Sequence, residues 1–428
     1  MKNYFDVPER RPWEDAPPTG FDGPDEGIVV RKYGGSSLAT PELVHGVAQE
    51  VAGLVRTGKH VVVVVSAMGN TTDELVALAG QFADQPDPRE LDQMMATGEQ
   101  LSAAALALAL TRRGVKAVSL SGDQAGIVVG GEPGSGTIVR IDPTRIVERM
   151  RDEQVVVVAG FQGRDATGEL LTLGRGGSDT TAVALAAALG SPTCDICTDV
   201  QGVRTADPRI VPETQPVPTI AYEVMTELAH HGARVLHPRS VELAERHGVS
   251  VRVLHSSRPG PGTMVEAAEP LEGGPEVIGV APERDVRQVR LMGPRLLAGG
   301  TARVLARLAA SGLRPDTLTW PDPDVLWFTV RGSAPLAGPV RELAEELGAH
   351  WEIDEDLGAV SVVGTGLLDD PGHLSALLRV VGELGVTVPT MATSPSRLTA
   401  VLPADRLDTA VRALHEAFGL NVPAEARR

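Results

Sequence analysis

From residue 28 onward, short apolar runs alternate with longer segments whose apolar positions recur every three or four residues. The runs read as buried strands and the longer period as helices lying on them. IVVRKY (28–33) predicts a strand, then a Gly/Ser turn and a helix over about 41–57. KHVVVVVSAM predicts a strand buried on both faces, because its valines leave no polar side. Helices are predicted over about 71–82 and 89–113, and VKAVSLS, VVVVAGF and CDICTDV are further β-rich runs. Helices over about 178–190, 222–232 and 239–247 and a strand at 251–256 complete this half. Strand–helix alternation with buried strands predicts an α/β sandwich around a mainly parallel sheet.

The Pro/Gly-rich stretch 257–276 reads as a linker. Beyond it the order is a strand near 286–292, a helix over 300–312, strands near 315–320 and 325–331, and a helix over 336–348. The same order returns at 358–364, 371–385, 386–392, 397–402 and 405–417. This βαββα repeat of roughly 70 residues predicts two small ferredoxin-like modules, over 277–354 and 355–428. Residues 28–256 then form the larger domain.

Composition narrows the picture. Lys plus Arg number 39 and Asp plus Glu 56, giving a formal charge of −17 over 428 residues. No basic run offsets that field, so a nucleic-acid surface is not expected. Aromatic residues are 3%, so the cores must be aliphatic. There is no 18-residue apolar run, hence no expected membrane span. Residues 1–27 carry seven acidic and three basic side chains and no apolar segment. They read as a loosely held acidic arm rather than a secretory signal, and a cytoplasmic location is expected. Cys194 and Cys197 are the two cysteines. Three apart on a strand, they face opposite sides and suit neither a bridge nor a shared metal.

Chemistry concentrates in six segments. Lys32-Tyr33-Gly34-Gly35-Ser36-Ser37 follows the first strand. Its glycines let backbone N–H groups approach phosphate oxygens, and Lys32 can meet a migrating phosphoryl charge. The bland alternative is a tight turn with a capping serine. Ser66-Ala67-Met68-Gly69-Asn70-Thr71-Thr72 lies where a strand ends and a helix begins, a place suited to anions. Thr172-Leu173-Gly174-Arg175-Gly176-Gly177-Ser178-Asp179 sets one Arg and one Asp among glycines. Arg175 can fork onto a carboxylate, and Asp179 can orient basic groups. In 198–209, Thr198, Asp199, Arg204 and Arg209 suit a ribose and polyphosphate, against a solvated turn as the alternative. Glu99, in Thr97-Gly98-Glu99, is a further candidate, although a lone Glu at a helix start is more often a cap residue. In Gly232-Ala233-Arg234-Val235-Leu236-His237-Pro238, His237 reads as structural.

In this order the segments resemble the aspartokinases of the amino-acid kinase family, from about residue 28 to the C-terminus. KYGGSS is similar to the family's K-F-G-G-T-S opening, and TLGRGGSDTTAVALAAAL is the most specific match. The paired βαββα modules look like the family's tandem ACT domains. The resemblance implies a three-layer αβα kinase fold that transfers the γ-phosphoryl of ATP, with Mg2+ carried on its phosphates, to the side-chain carboxylate of L-aspartate. It implies that Lys32 stabilises the transferred charge, that Gly34, Gly35 and Ser36 surround the phosphates, and that Asp179 organises the basic residues. Ser66, Thr72, Glu99, Arg175, Gly176 and Ser178 fall on the aspartate side. Thr198, Asp199, Arg204, Arg209 and Arg234 fall on the nucleotide side. Lysine or threonine would be the effector, and pairing of ACT modules would give at least a homodimer.

The chain departs from the family pattern at Cys197, Gln201, Arg204 and Arg234, all in or beside the nucleotide segments. The turn at 293–300 and the stretch 393–396 also differ, which bears on feedback. A non-catalytic sensor subunit and a kinase of acetylglutamate or glutamate are the competing readings.

Overall fold

The computed structural model describes residues 27–233, 235–267, 277–293, 296, 301–311, 313–332, 335–386, 388 and 390–423. The acidic arm 1–26, Arg234 and most of 294–300 lie outside them. Two compact units divide the described chain: residues up to Val203 with 217–226 and 235–267, and 204–216 with 227–233 and 277–423.

The first unit runs β1 (Ile28–Tyr33), a 3-10 turn (Gly35–Leu38), α1 (Pro41–Arg56), β2 (His60–Val65), α2 (Thr71–Phe82), α3 (Pro88–Arg112), β3 (Ala117–Leu120), β4 (Ile127–Gly130), β5 (Thr137–Ile141) and α4 (Thr144–Arg151). It continues with β6 (Val155–Ala159), β7 (Gln162–Arg164), β8 (Leu170–Thr172), α5 (Gly177–Ala188), β9 (Thr193–Thr198), β10 (Thr219–Ala221), α6 (Tyr222–His230), α7 (Pro238–His247), β11 (Ser250–His255) and β12 (Thr263–Glu266). Helix α6 starts in this unit and ends in the other.

Eight strands form one sheet in the order β10-β12-β11-β9-β1-β2-β6-β3, parallel except for the β11–β12 pair. The valine run of β2 is buried on both faces. Val61, Val63 and Val65 pack with Val44, Val47 and Val51 of α1 and Leu106 and Leu110 of α3. Helix α1 starts where Thr40 accepts from the Leu43 N–H and Pro41 occupies the first turn. Both devices satisfy or remove donors that a helix start leaves open. The opposite face of the sheet carries α5, so the layers are helix, sheet, helix.

The structure differs from the sequence reading in several places, among them helix α4 and strand β10, for which no element is predicted. A second sheet, β5-β4-β7-β8, occupies stretches assigned no strand. Its strands are three to five residues long and broken by Gly and charge, so they lack a readable apolar run. The stretch read as linker carries β12, whose Thr263 and Val265 are buried against β11.

Under the sheet, Asp195 is 2% exposed and accepts from Arg31 Nη2 at 2.7 Å and Arg252 Nε at 2.9 Å. Arg31 also reaches Glu50 at 2.6 Å, and the Tyr33 hydroxyl donates to Glu50 at 3.0 Å. Cys194 and Cys197 are buried free thiols. No helix among the described residues is long and apolar enough to cross a membrane.

The second unit contains β13 (Val277–Met292), α8 (Thr301–Ala310), β14 (Pro315–Asp322), β15 (Val325–Arg331), α9 (Ala337–Leu347), β16 (His350–Gly364), α10 (Pro371–Glu383), β17 (Thr390–Ser394), β18 (Arg397–Pro403) and α11 (Leu407–Ala417). One antiparallel sheet, β14-β15-β13-β16-β18-β17, carries both βαββα repeats. Strands β13 and β16 are longer than predicted because each serves two cores. Val289 and Leu291 pack with Val304 and Leu343, whereas Val277 and Val280 pack with Leu377 and Leu414. The changeover in β13 is marked by Asp285 at φ 58° and a register shift between Glu283 and Val286. The second core also takes Ala206, Ile210 and Val211 from the 204–216 segment.

Candidate active site

Parallel register brings four strand ends to one edge of the large sheet. Tyr33 lies opposite Val65 and Cys197, and Val65 opposite Ala159. The loops that open at Gly34, Ser66, Gly160 and Thr198 therefore leave from the same edge, where open α/β sheets place their ligands.

Close backbone packing joins the first two loops. The Gly69 N–H donates to the Gly35 carbonyl at 3.0 Å and the Ser66 N–H to the Tyr33 carbonyl at 3.1 Å. A Cβ on Gly35 would stand 2.8 Å from the Ala67 oxygen, so only glycine permits this approach. Gly98 likewise lets α3 pass against Ala67, where a Cβ would come within 2.8 Å of the Ala67 methyl. Its neighbour Glu99 is 3% exposed and accepts from the Ala67 N–H through Oε1 at 3.1 Å. Oε2 is buried without a hydrogen-bond partner. Burial pushes the Glu99 carboxyl up to about 7.

That orphaned oxygen gives a pH prediction. A cationic group arriving at Oε2 favours the carboxylate, so binding should strengthen as pH rises through 7. The KM for an α-ammonium substrate should fall several-fold between pH 6 and 8, and Glu99→Gln should flatten the profile. A wild-type KM independent of pH over that window removes Glu99 from the ammonium site. For stability the sign is opposite. The raised folded value makes Glu99's contribution complete below the ordinary carboxylate range and lost as pH climbs through about 7.

Side chains alternate along β1, so Lys32 points away from Tyr33, onto the face that carries α5. Its Nζ lies 2.6 Å from Asp179 Oδ1, and both side chains are largely buried. Asp179 stands in the first turn of α5, whose N-cap, Gly176, adopts φ 71° and supplies no side-chain cap. The helix start can therefore offer N–H groups to an anion. Ser178 packs against Gly160, where a Cβ would lie 2.9 Å from its Oγ. Phe161 holds φ 68° at the end of β6, a strained position for a bulky residue. Its N–H donates to Thr181 Oγ1 at 3.2 Å, and its carbonyl accepts from Leu173 at 2.8 Å.

The structure thus brings together Lys32 with Asp179, Gly35 with the Ser66–Gly69 loop, Gly34 with the Lys32 ammonium, Glu99 with Ala67, and Ser178 with Gly160. Thr72 is half-buried in the first turn of α2, and Ser36 and Arg175 are exposed. Thr198 Oγ1 donates to Asp199 at 3.1 Å. Arg204 and Arg209 belong to the second unit. There Arg204 Nε donates to Thr214 Oγ1 at 2.6 Å, and Arg209 pairs with Asp207 at 2.7 Å. Arg234 lies outside the described residues.

Two positioning groups escaped the sequence reading. Asp92 is fully buried on α3 and accepts from Thr172 N–H at 2.8 Å, Thr172 Oγ1 at 2.7 Å and Gly134 N–H at 2.9 Å. Its place seven residues before Glu99, on the same helix face, was the available signal. The other is Arg239, at the start of α7.

Comparison with known proteins places this geometry. The amino acid kinase family model matches residues 27–255, and an ACT domain model matches 360–418. The aspartokinase of Geobacillus stearothermophilus is 42% identical over 94% of this chain and 100% of its own length. An aspartokinase of Thermus thermophilus is 40% identical over 92% of this chain and 99% of its own length. Among solved structures, E. coli aspartokinase III in complex with aspartate and ADP superposes with a TM-score of 0.80 at 25% identity, covering 92% of this chain and 99% of that one. With both domain types matched and near-complete coverage of these relatives, the chain belongs to the aspartokinase family.

Proposed function

We propose that the chain is an aspartate kinase in which a side-chain carboxylate oxygen of L-aspartate attacks the γ-phosphorus of ATP. The bond to the β–γ bridging oxygen breaks, and 4-phospho-L-aspartate and ADP leave. The observation that carries this reading is the Lys32–Asp179 pair at the glycine-lined edge of the parallel sheet. A carboxylate nucleophile needs no proton removed, so the chemistry asks for positioning and charge stabilisation, not an acid–base pair.

In this reading Lys32 meets the charge on the transferring phosphoryl group, and Asp179 holds its ammonium in place. Gly34, Gly35 and Ser36 surround the phosphates, Gly34 through the close approach its missing side chain allows, since its own N–H donates to the Cys197 carbonyl. Ser66, Thr72, Glu99, Arg175, Gly176 and Ser178 receive aspartate, with Arg175 forked onto the α-carboxylate and Glu99 beside the ammonium. Thr198, Asp199, Arg204, Arg209 and Arg234 are assigned to the nucleotide by their motif positions. Mg2+ would enter on the nucleotide's own phosphates and neutralise charge there. Among the described residues no cluster of three or more His, Cys, Asp or Glu groups could hold a metal.

E. coli aspartokinase III has been solved in complex with lysine and aspartate. An amino-acid effector, lysine or threonine, at the ACT modules and a homodimer built through them are the corresponding proposals for this chain.

Incubation with aspartate, Mg-ATP and hydroxylamine should yield aspartyl hydroxamate and stoichiometric ADP. Absence of both above background, with folded protein, overturns the assignment. Adding lysine or threonine to the same assay tests the effector.

A further inference from the structure

The reaction above gives no part to His237 or to Arg239, two residues further on, yet both stand behind the Gly174–Gly177 loop. Arg239 donates from Nη1 to the Leu173 carbonyl and from Nη2 to the Gly136 carbonyl, both at 2.8 Å. The His237 ring lies against Gly176 so closely that a Cβ there would fall 2.0 Å from the ring Cγ. On the far side of the same strand end, Asp92 holds Thr172 and Gly134. The Gly136 N–H donates to the Thr172 carbonyl at 2.8 Å, and a Cβ on Gly174 would stand 3.0 Å from the Gly134 carbonyl. The base of the loop is therefore clamped to the 131–136 turn by one buried carboxylate and one guanidinium. Arg175, the next residue, is exposed and makes no hydrogen bond among the described residues. Its direction rests on the backbone that carries it.

We propose that Arg239 is a positioning residue that aims Arg175 by fixing the Leu173 carbonyl to the Gly136 carbonyl, with His237 as the backstop of Gly176. A planar fork suits this task, because two carbonyls must be held at once. Lysine concentrates its donors at one point and does not reproduce the planar fork that meets each carbonyl from a separate nitrogen. The proposal rests on the assignment of Arg175 to the α-carboxylate of aspartate, so its test needs one readout that does not depend on turnover.

Arg239→Met keeps the length of the side chain and removes the fork. In the full-length protein it should raise the KM for aspartate by ~10-fold or more, since two charge-assisted hydrogen bonds are lost, while the KM for ATP stays within about twofold. Arg239→Lys should fall between Met and wild type. In ligand-free protein, hydrogen exchange across 174–177 should quicken by ~10-fold or more in Arg239→Met, with exchange in the β2 core unchanged. The proposal is overturned by an unchanged aspartate KM, by a parallel rise in both KM values, or by unchanged exchange in the loop. If Arg239→Met does not fold, Arg239→Lys and His237→Ala carry the same two readouts. Wild-type protein that shows no aspartate-dependent ADP release defeats the assignment of function, while the exchange comparison still decides whether Arg239 orders the loop.

Discussion

Lys32→Ala should lower kcat at least ~10²-fold at saturating aspartate and ATP, because a fixed charge that faces charge developing in the transition state is removed. The residue is one of four lysines in the chain and the partner of Asp179 at 2.6 Å. Its side chain is 11% exposed, so water cannot readily replace it. The effect should appear in kcat and in kcat/KM alike, the signature of an interaction made in the transition state. Lys32→Arg should not restore the rate, since a planar fork does not reproduce a compact point charge. Steady-state ADP release checks this directly, and near-normal turnover in folded Lys32→Ala protein removes Lys32 from the mechanism. Loss of the cation also leaves the Asp179 carboxylate without its ion-pair partner. The melting temperature must therefore be measured beside the rate.

Asp195→Ala should be the most destabilising single change in the first unit, by about 3–5 kcal/mol, because it strips a buried guanidinium of its carboxylate. Arg31 is 7% exposed and would keep Glu50, which is itself 37% exposed. Arg252 is 42% exposed and is screened by water, so the figure refers to the Arg31 pair alone. For a unit of this size the loss corresponds to a fall of roughly 10 °C in its thermal transition. Adding Arg31→Met and Arg252→Met to Asp195→Leu should recover much of the loss, since a matched apolar set needs no desolvation of charge. A single Asp195→Ala variant that melts within a degree or two of wild type would show that the network contributes little.

Most of the parallel sheet was legible because its strands are valine runs that no helix face could use. The motif loops were legible because glycine, serine and lone charges cluster where those runs stop. The small β5-β4-β7-β8 sheet was not, since β7 and β8 pair through three residues each and owe their place to α3 rather than to their own pattern. Asp92 was faint for a related reason: its spacing from Glu99 marks a shared helix face, but its role shows only when Thr172 and Gly134 arrive from elsewhere in the chain. Glu99 was legible as a position, but its burial and its orphaned oxygen belong to packing against Ala67. The repeat in the second unit was legible as two copies. That β13 and β16 each run through both copies was not, because strand length depends on pairing partners.

The shared core of the second unit sets an order on how the chain can be made. Ala206, Ile210 and Val211 share one core with Leu414 and Leu420, and Thr205 Oγ1 lies 2.9 Å from His415 Nε2. About half the chain separates these partners, so the 204–216 segment emerges from the ribosome long before the helices that complete its core. That core is complete only when the last helix is synthesised. Nascent chains halted after residue 300 should therefore expose this segment to proteases and chaperones, and release of the full chain should close it.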